Sequence, residues 1–481
     1  MNKAVRFENV GFSYPGGETI IENSDFRLDY GEISLLAGAS GAGKSTVLSL
    51  ICGIIPNLTP GEMSGNILIN GENIQGRPLR EICREVGVVL QNADSQIIQQ
   101  FVEDEIAFGC ENFNFPPDVI KERIDFSCNQ MLLDPGWETH TLSGGQKQRL
   151  ITASTLATDQ KIILLDEPLA NLDIQGADSL MRSLKALTEN GYAVLIVEHR
   201  IDMIIKYADR VWVLDDKQIK KIENVREYLN NLSDIISDTS QSTVPGDNLI
   251  SLKNISYKVK DRVILNDLSL DIQKGERLLL LGENGCGKTT LLRIIARLQK
   301  PSSGEMSQNI VPNPKRTKQW FRKVGVVYQN PNYQLFMPTV EAEVSYNADS
   351  PEYAENILNL FDLEPIRDKH PQSLSEGQKR RLTIAAVLAG KPDLLLLDEP
   401  TVGQDFEGLR KMTDILNEIH TKTGNTMITV THDKRCAEAL CERAVIIENG
   451  SIFKSGGKDT AHNYLFNDLH ERKQDDNEKH N

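Results

Sequence analysis

Short apolar runs alternate with longer stretches of helical periodicity along the whole chain. The first half contains ISLLAG, KIILLDEP, AVLIVEH and RVWVLD, and the second contains RLLLLG, DLLLLDEP, MITVTH and AVIIENG. Apolar residues at successive positions are typical of strands buried on both faces of a parallel sheet. The pattern therefore predicts an α/β fold, a mainly parallel sheet flanked by helices. Residues 112–140 and 350–370 have helical patterns and predict a small helical subdomain in each half.

The two halves carry the same motifs in the same order. GVVLQN (87–92) corresponds to GVVYQN (325–330), and LSGGQKQR (142–149) corresponds to LSEGQKRR (374–381). Matching motifs stay between 232 and 244 positions apart along the chain. A repeat of this length is a whole domain rather than a solenoid unit. The sequence therefore predicts a tandem duplication.

The domain boundaries follow from composition. We expect a first domain at residues 1–232, a linker at 233–248 and a second domain at 249–466. The linker contains SDTSQSTVPGDN, which is polar and includes a Pro-Gly pair. Residues 467–481 are charged and nearly without apolar side chains, so they predict a flexible tail.

Composition argues against several classes of function. The 481 residues include 53 Lys+Arg and 68 Asp+Glu, and the net charge of −15 disfavours general nucleic-acid binding. The sequence shows neither an apolar run near ~18 residues nor a signal segment, so we expect no membrane span and no secretion. Seven cysteines without a C-x-x-C pair argue against a disulfide framework or a zinc ribbon.

Two glycine-rich segments have the pattern of a phosphate-binding loop. Glycines let successive N–H groups point at phosphate oxygens, a lysine neutralises the terminal phosphates, and a hydroxyl reaches Mg²⁺. The alternative is a glycine-rich turn, but each segment lies between an apolar strand and a helix-like run, which favours nucleotide binding. The candidate residues are Gly38, Ser40, Gly41, Gly43, Lys44, Ser45 and Thr46, and Gly282, Asn284, Gly285, Gly287, Lys288, Thr289 and Thr290.

An acidic pair ends an apolar strand in each half, Asp166-Glu167 and Asp398-Glu399. Ligands bind at the carboxyl ends of parallel strands. There the aspartate can hold Mg²⁺, and the glutamate can orient or deprotonate the attacking water. A helix N-cap is the alternative for an isolated pair, but the phosphate loops favour the catalytic interpretation.

A histidine follows the next apolar strand in each half, His199 and His432, 32 and 33 residues after the glutamates. The matched spacing predicts an imidazole near the terminal phosphate or the water, and a structural histidine is the alternative. Gln91 and Gln329 end a β-like GVV run, where an amide can touch both Mg²⁺ and water. The candidate metal ligands are thus Ser45, Gln91, Asp166, Thr289, Gln329 and Asp398.

The LSGGQ and LSEGQ segments each open a helix-like run, which gives a second helix N-terminus with free N–H donors. Because each phosphate is already held by its own loop, the natural use is to close over ATP bound to the other half. An N-cap turn is the alternative for the bare pentapeptide. The residues concerned are Ser143, Gly144, Gly145 and Gln146, and Ser375, Gly377 and Gln378.

This ordered set resembles the ABC ATPase superfamily over essentially the whole chain. The resemblance implies that the phosphate loops are Walker A segments, that the glutamines belong to Q-loops, and that LSGGQ and LSEGQ are signature segments. It makes Asp173 and Asp405 D-loop residues. Tyr14 and Tyr257 resemble the aromatic residue that stacks on adenine, and a core-strand tyrosine is the alternative.

Two features of the second half depart from that pattern. Glu376 replaces the first signature glycine, and VGQD (402–405) matches ANLD (170–173) only loosely. In the head-to-tail pairing that the family implies, this signature closes over the first Walker A segment. We expect that composite site to turn over more slowly, because a carboxylate lies near the γ-phosphate.

The stretch after each Q-loop is similar to that of energy-coupling-factor (cobalt- or vitamin-type) importer ATPases. Both halves share Q-N-x-x-x-Q followed by an acidic and apolar run, FVEDEIAFG or TVEAEVSY; a solvated helix is the alternative. The resemblance implies transmembrane partners, a T-type coupling protein and a substrate-capture protein, and a peripheral location on the cytoplasmic face of the cell membrane. The resemblance also implies that separate membrane proteins choose the cargo, so this sequence does not identify it.

The rival class is a soluble tandem ABC ATPase that acts on ribosomes or nucleic acid. Resemblance to the ribosome-binding group would require a long, basic helical linker between the halves, and residues 233–248 are short, polar and acidic. A nucleotide-gated scaffold without turnover conflicts with two intact catalytic glutamates.

Overall fold

The computed structural model describes residues 3–91, 93–170, 172–228, 246–260, 262–312 and 318–466. The predicted tail and residues 233–245 of the predicted linker lie outside the described residues. The chain divides into two compact units, Met1–Ser233 and Asp234–Asn481. In the part that the structure describes, no helix is long and apolar enough to cross a membrane.

The first unit contains two sheets. Its strands are β1 (Lys3–Ser13), β2 (Thr19–Asp29), β3 (Ile33–Gly38), β4 (Glu62–Ile69), β5 (Glu72–Asn73), β6 (Val86–Val89), β7 (Ile162–Asp166), β8 (Ala193–Val197), β9 (Arg210–Asp215) and β10 (Gln218–Lys221). One sheet has the order β10-β9-β3-β8-β7-β6, in which only the edge strand β10 is antiparallel. The other is antiparallel, with the order β2-β1-β4-β5.

Helices cover the parallel sheet and form the subdomain. They are α1 (Lys44–Ile51), α2 (Ile54–Asn57), α3 (Leu79–Ile82), α4 (Val102–Asn112), α5 (Pro117–Met131), α6 (Gly144–Ala157), α7 (Ile174–Glu189) and α8 (Ile201–Ile204). The predicted helical segment 112–140 contains α5, which packs with α4 and α6. Pro117 begins α5, where its missing N–H costs no hydrogen bond.

The parallel strands are apolar at successive positions because both faces of the sheet are covered. Leu35 of β3 belongs to the core between the sheet and helices α4 to α7, whereas its neighbour Leu36 belongs to the core beneath the antiparallel sheet. Adjacent residues of a strand point to opposite faces. The unit is therefore layered, with a core on either side of one sheet.

The second unit repeats this architecture. Its strands are β11 (Asn248–Val259), β12 (Arg262–Gln273), β13 (Arg277–Leu281), β14 (Ser303–Gln308), β15 (Val324–Val327), β16 (Leu394–Asp398), β17 (Thr426–Val430), β18 (Arg443–Glu448) and β19 (Ser451–Gly457). They form sheets of order β12-β11-β14 and β15-β16-β17-β13-β18-β19. Strand β11 begins at Asn248, which the sequence places at the end of the linker. Leu395 and Leu396 divide between the two cores as Leu35 and Leu36 do.

The helices of the second unit follow the same plan. They are α9 (Lys288–Ile295), α10 (Lys318–Lys323), α11 (Val340–Ser345), α12 (Pro351–Leu360), α13 (Glu376–Leu388), α14 (Phe406–Thr423), α15 (Lys434–Leu440) and α16 (Lys458–Phe466). The predicted helical segment 350–370 contains α12, capped by the Ser350 hydroxyl, which accepts from the Tyr353 N–H at 3.2 Å. The prediction of two mainly parallel α/β units flanked by helices is confirmed.

Candidate functional site

The first glycine-rich loop joins strand β3 to helix α1. Gly38 has φ of 151° and Gly43 has φ of 109°, a region that side-chain-bearing residues rarely adopt. A Cβ atom at Gly38 would also lie 2.6 Å from the carbonyl oxygen of Leu214. Lys44 begins the helix, and its Nζ donates to the carbonyls of Gly38 at 2.8 Å and Ala39 at 2.7 Å. The loop thus curls around one ammonium group at a helix N-terminus.

The second loop repeats that geometry between β13 and α9. Gly282 and Gly287 have φ of 146° and 107°. The Nζ of Lys288 donates to the carbonyls of Gly282 at 2.7 Å and Glu283 at 2.8 Å. Both loops therefore place an ammonium group and helix N–H donors together, an arrangement that suits phosphate. Ser40, Gly41, Asn284 and Gly285 are exposed in these loops, whereas Thr46 is buried and Thr290 is half-buried.

A hydroxyl joins each loop to the acidic pair. Ser45 Oγ donates to Asp166 Oδ2 at 2.9 Å, and Thr289 Oγ1 donates to Asp398 Oδ2 at 2.8 Å. Burial raises the pKa of both aspartates. Hydroxyl and carboxylate oxygens are donors that Mg²⁺ prefers, and Mg²⁺ is usually completed by phosphate oxygens and water. Each site offers one such hydroxyl–carboxylate pair, which fits Mg²⁺ binding shared with phosphate and water.

Glu167 is the centre of a polar network in the first unit. Its backbone has φ of 47° and its N–H donates to Val197 at 2.8 Å. His199 Nε2 lies 2.9 Å from Glu167 Oε1, and Gln91 Nε2 donates to Oε2. Burial alone would raise the pKa of Glu167, but the hydrogen bond and charge of His199 outweigh burial and lower it. The structure thus brings Gln91, Glu167 and His199 together.

The second unit assembles the same residues more loosely. Glu399 has φ of 52°, and its Oε2 accepts from the His432 N–H at 3.3 Å. The Nε2 atom of His432 lies 3.7 Å from Glu399 Oε1. Gln329 is exposed, and its side chain makes no hydrogen bond with any described residue. Within the described part of the chain, the Gln329 side chain is therefore not hydrogen-bonded to Glu399, whereas Gln91 is hydrogen-bonded to Glu167.

Both signature segments form capping boxes. Ser143 Oγ accepts from the Gln146 N–H at 3.3 Å, and Gln146 Oε1 accepts from the Ser143 N–H at 2.9 Å. Ser375 and Gln378 repeat the pair at 3.3 and 3.1 Å. The N-cap alternative therefore describes the local structure, and Gly144, Gly145 and Gly377 lie in the first turns of α6 and α13. A capping role leaves the remaining N–H groups of the first turn free for an anion.

The D-loop aspartates are also helix caps. Asp173 Oδ1 accepts from the Gly176 N–H at 2.8 Å, and Asp405 Oδ1 accepts from the Gly408 N–H at 2.7 Å. The loose match before Asp405 has a physical reason. Gln404 is buried and its Nε2 donates to the Gly377 carbonyl at 2.9 Å, so it ties the D-loop to the signature segment of its own unit. In the first unit, Leu172 occupies the position of Gln404 and packs into the hydrophobic core.

Glu376 begins helix α13 and has a local partner. Its Oε1 lies 3.3 Å from Lys379 Nζ, one turn further along the helix. A carboxylate in the first turn is stabilised by the helix dipole. The expectation that this carboxylate slows a composite ATP site stays a prediction.

The two candidate adenine-stacking tyrosines are half-buried. Tyr14 follows β1, packs edge-on against Phe12 at 4.9 Å between ring centroids, and its hydroxyl lies 3.2 Å from Thr46 Oγ1. Tyr257 lies within β11 and packs against the core of its unit. Both tyrosines therefore combine contact with the core and partial exposure.

One glutamine in each unit fixes the Q-loop, and neither glutamine was predicted as a site residue. Gln96 Oε1 accepts from the Leu90 N–H at 2.8 Å, and Gln334 Oε1 accepts from the Tyr328 N–H at 2.8 Å. Both are the second glutamine of the Q-N-x-x-x-Q pattern, and its presence in both halves is the sequence signal that could have identified them.

Two buried carboxylates hold the segment that follows. Glu105 Oε2 accepts from the N–H groups of Ile98 at 2.9 Å and Gln99 at 2.8 Å. Glu343 Oε2 accepts from Phe336 at 2.9 Å and Met337 at 2.7 Å. Both glutamates occupy the same position of the repeat, and this shared position is a sequence signal that could have identified them.

The first unit contains a further link near the histidine. Glu198 is buried, which raises its pKa, and it accepts from the N–H groups of His199 at 2.9 Å and Leu169 at 3.1 Å. Arg200 Nη1 donates to the carbonyls of Leu169 at 2.9 Å and Leu172 at 3.1 Å. The segment before the D-loop is thus tied to the histidine loop. The second half has Thr431 and Asp433 in place of Glu198 and Arg200, so the repeat could not have identified this link.

Each unit therefore contains a phosphate loop hydrogen-bonded to the aspartate of an Asp-Glu pair, which defines a tandem nucleotide hydrolase of the P-loop class. The family model described as ABC transporter matches residues 21–170 and 265–402. The chain belongs to the ABC transporter family, and each half is an ABC ATPase domain.

Relatives of similar length carry one description. A "Putative ABC transporter ATP-binding protein" of Methanosarcina acetivorans is 33% identical over 469 residues, which cover 92% of this chain and 88% of the relative. Another of that description, from Treponema denticola, is 32% identical over 475 residues, which cover 94% and 96%. The likeness extends over both domains in each case.

Solved structures share the tandem fold. One chain from the crystal structure of the complex of archaeal ribosomal stalk protein aP1 and archaeal ribosome recycling factor aABCE1 matches with a TM-score of 0.68 and 19% identity. The match covers 95% of this chain and 92% of that one. At this identity the likeness is one of fold.

Proposed function

We propose that this ABC ATPase is the energy-coupling subunit of a membrane importer of the energy-coupling-factor type, for a vitamin or transition-metal micronutrient. In this proposal two ATP molecules are sandwiched between the halves, and hydrolysis drives opening and closing. The partners are a T-type coupling protein and a substrate-capture protein, and the chain binds them at the cytoplasmic face of the cell membrane. Nucleic acid has no part in it.

The observation that carries the proposal is a matched pair of exposed apolar side chains. Ile98 is 61% exposed and Phe336 is 77% exposed, at equivalent positions after the two Q-loops. Their backbones are held by the buried carboxylates of Glu105 and Glu343, so the chain maintains two ordered apolar protrusions in water. Exposed apolar residues on a braced loop favour a docking role over a solvated helix. Tyr333 and Tyr346 extend the exposed apolar group in the second unit.

In each site we assign the residues the following work. Lys44 and Lys288 neutralise the terminal phosphates, and the bonded hydroxyl–aspartate pairs, with Gln91 and Gln329, hold Mg²⁺. Glu167 and Glu399 orient or deprotonate water, assisted by His199 and His432. Mg²⁺, when bound, offsets the charge that builds up on the transferred phosphoryl group. Such positioning of a general base contributes ~10²–10⁴ in rate.

Membrane recovery tests the proposal. A tagged chain is produced in its own host cells, membranes are washed, and the fraction recovered with them is measured. Ile98→Glu combined with Phe336→Glu is expected to release the chain from membranes while purified ATPase activity stays within twofold. Phe453→Glu is the matched control, because Phe453 is 57% exposed on strand β19, away from both Q-loops in sequence. Equal recovery of all variants would contradict the proposal.

A soluble tandem ATPase that acts on ribosomes is the second candidate, favoured by the shared fold with a chain from the ribosome recycling factor complex. The same cell extracts are run on a sucrose gradient. Sedimentation with ribosomes after membranes are removed, unchanged by the Ile98 and Phe336 substitutions, would favour this candidate. Absence from the ribosome fractions together with loss from membranes supports the importer.

A further inference from the structure

Arg380 connects the signature helix to the Q-loop of the second unit. It lies near the start of α13 and is almost fully buried. Its Nη1 donates to the Tyr328 carbonyl at 2.8 Å, and its Nη2 donates to the Gln329 carbonyl. One guanidinium therefore holds two consecutive carbonyls, a use for which its forked geometry is suited.

The surroundings keep this cation in place. Burial lowers the pKa of Arg380 to about 10, although the charges of Glu399, Glu376 and Asp398 oppose that shift. The side chain is therefore still charged at neutral pH, with three carboxylates of its own unit as counter-charges. A buried charge that donates to backbone carbonyls is costly to release, because its donors would lose their partners.

The first unit has a different connection. Gln148 occupies the position of Arg380, is buried, and its Nε2 has no hydrogen-bond partner among the described residues. The link there is an ion pair between Lys147 and Asp94, whose carboxylate is largely exposed. Exposed ion pairs contribute ~0–1 kcal/mol, so this link is expected to be the weaker one.

The two Q-loop glutamines also differ in their hydrogen bonds. Gln91 donates to Glu167, whereas Gln329 makes no side-chain hydrogen bond with described residues and stays exposed. We propose that Arg380 is a positioning residue that fixes the second Q-loop with Gln329 clear of Glu399. Glu399 can then accept a proton from water without first breaking a hydrogen bond to Gln329, whereas Glu167 must break its bond to Gln91. This role concerns the ATPase site and is independent of which partner the chain binds.

Hydrogen exchange of the full chain without nucleotide tests the placement directly. Amides 328–334 are expected to exchange at least about tenfold faster in Arg380→Gln than in the wild type, since two charge-assisted bonds are lost. Amides of β16 and α14 should stay within twofold. Unchanged exchange at 328–334, or an equal rise throughout the second unit, would overturn the proposal.

Steady-state kinetics supply the second readout, in a Glu167→Gln background where hydrolysis depends on Glu399. Arg380→Gln is expected to lower kcat about tenfold with KM for ATP within threefold, and Arg380→Lys to restore part of kcat. A change in KM alone, or a lysine variant no better than glutamine, contradicts positioning. If the Arg380 variants fold poorly, the reciprocal substitution Gln148→Arg, in a Glu399→Gln background, tests the proposal instead. It should slow exchange of amides 90–96 and raise kcat; no change in either contradicts the inference.

Discussion

His199 Nε2 lies 2.9 Å from Glu167 Oε1, whereas the equivalent His432 atom lies 3.7 Å from Glu399 Oε1. Gln91 also donates to Glu167. Glu167 is thus contacted by both side chains, whereas Glu399 lies further from its histidine. In the proposed mechanism these contacts must be exchanged before the carboxylate acts on water, so we expect the two sites to differ in rate.

Single glutamate variants should therefore differ in residual activity. Glu167→Gln, which leaves the second site, is expected to retain more ATP hydrolysis than Glu399→Gln, by about three- to tenfold. The double variant should fall by ~10²–10⁴ while still binding ATP. Phosphate release at saturating ATP measures the rates, and binding of a fluorescent ATP analogue checks that the sites are filled. Equal residual rates in the single variants would contradict the asymmetry, including the slowing ascribed to Glu376.

Glu105 offers a test of the braced loop. Glu105→Gln weakens the acceptor for the N–H groups of Ile98 and Gln99, so the first unit should lose about 1–3 kcal/mol of unfolding free energy. Glu103→Gln, an exposed change on the same helix, is the control and should stay within ~0.5 kcal/mol. Urea unfolding followed by circular dichroism measures both. Similar values for the two variants would show that the buried carboxylate does not brace the loop.

Asp178 predicts a pH dependence of stability away from the site. It accepts from Lys206 Nζ at 2.7 Å and Tyr207 Oη at 2.6 Å. Burial opposes its ionisation, but these hydrogen bonds and charges prevail and lower its pKa. A depressed carboxylate pKa contributes stability above the unfolded value near 3.9, and that contribution is lost as pH falls through the folded value.

Asp178→Asn should thus destabilise the first unit by about 1–2 kcal/mol at pH 7 and by progressively less below pH 4. Thermal unfolding from pH 3 to 7 follows the difference between variant and wild type. A difference that does not change with pH would assign the loss to packing instead.

The main features of the fold were predictable because they depend on local patterns. Successive apolar residues such as Leu35 and Leu36 reported a sheet covered on both faces, and the glycines of the two loops reported backbone angles that other residues rarely adopt. The acidic pairs were predictable for the same reason, since a strand end fixes where Asp166 and Asp398 lie. Periodicity and spacing carry this information without any long-range contact.

The asymmetry between the units was beyond such patterns. Gln148 and Arg380 occupy the same place in the repeat, yet whether a side chain there reaches the Q-loop carbonyls depends on how helix and loop pack. Glu105 and Glu343 accept hydrogen bonds from N–H groups six or seven residues earlier in the chain. In the sequence these glutamates belong to acidic and apolar runs that a solvated helix would also explain. Burial, rather than residue type, decided their role.

Arg277 and Glu442 form a largely buried ion pair in the second unit. Arg277 is almost fully buried, with Nη2 at 2.8 Å from Glu442 Oε1 and Nη1 at 2.7 Å from Asn417 Oδ1. The first unit has Ile33 at the equivalent position, also fully buried. Removing one partner of a buried pair leaves an uncompensated charge, whereas replacing the pair by apolar groups is often neutral.

Glu442→Ala is therefore expected to destabilise the second unit by about 3–5 kcal/mol. Arg277→Ile combined with Glu442→Ala should recover at least half of that loss, since the residue placed on β13 is the one that the first unit tolerates. Urea unfolding of wild type, both single variants and the double variant closes a mutant cycle that isolates the coupling between the two side chains. If the double variant is as unstable as the sum of the single variants, the pair does not interact, and the buried arginine is held by Asn417 and the backbone alone.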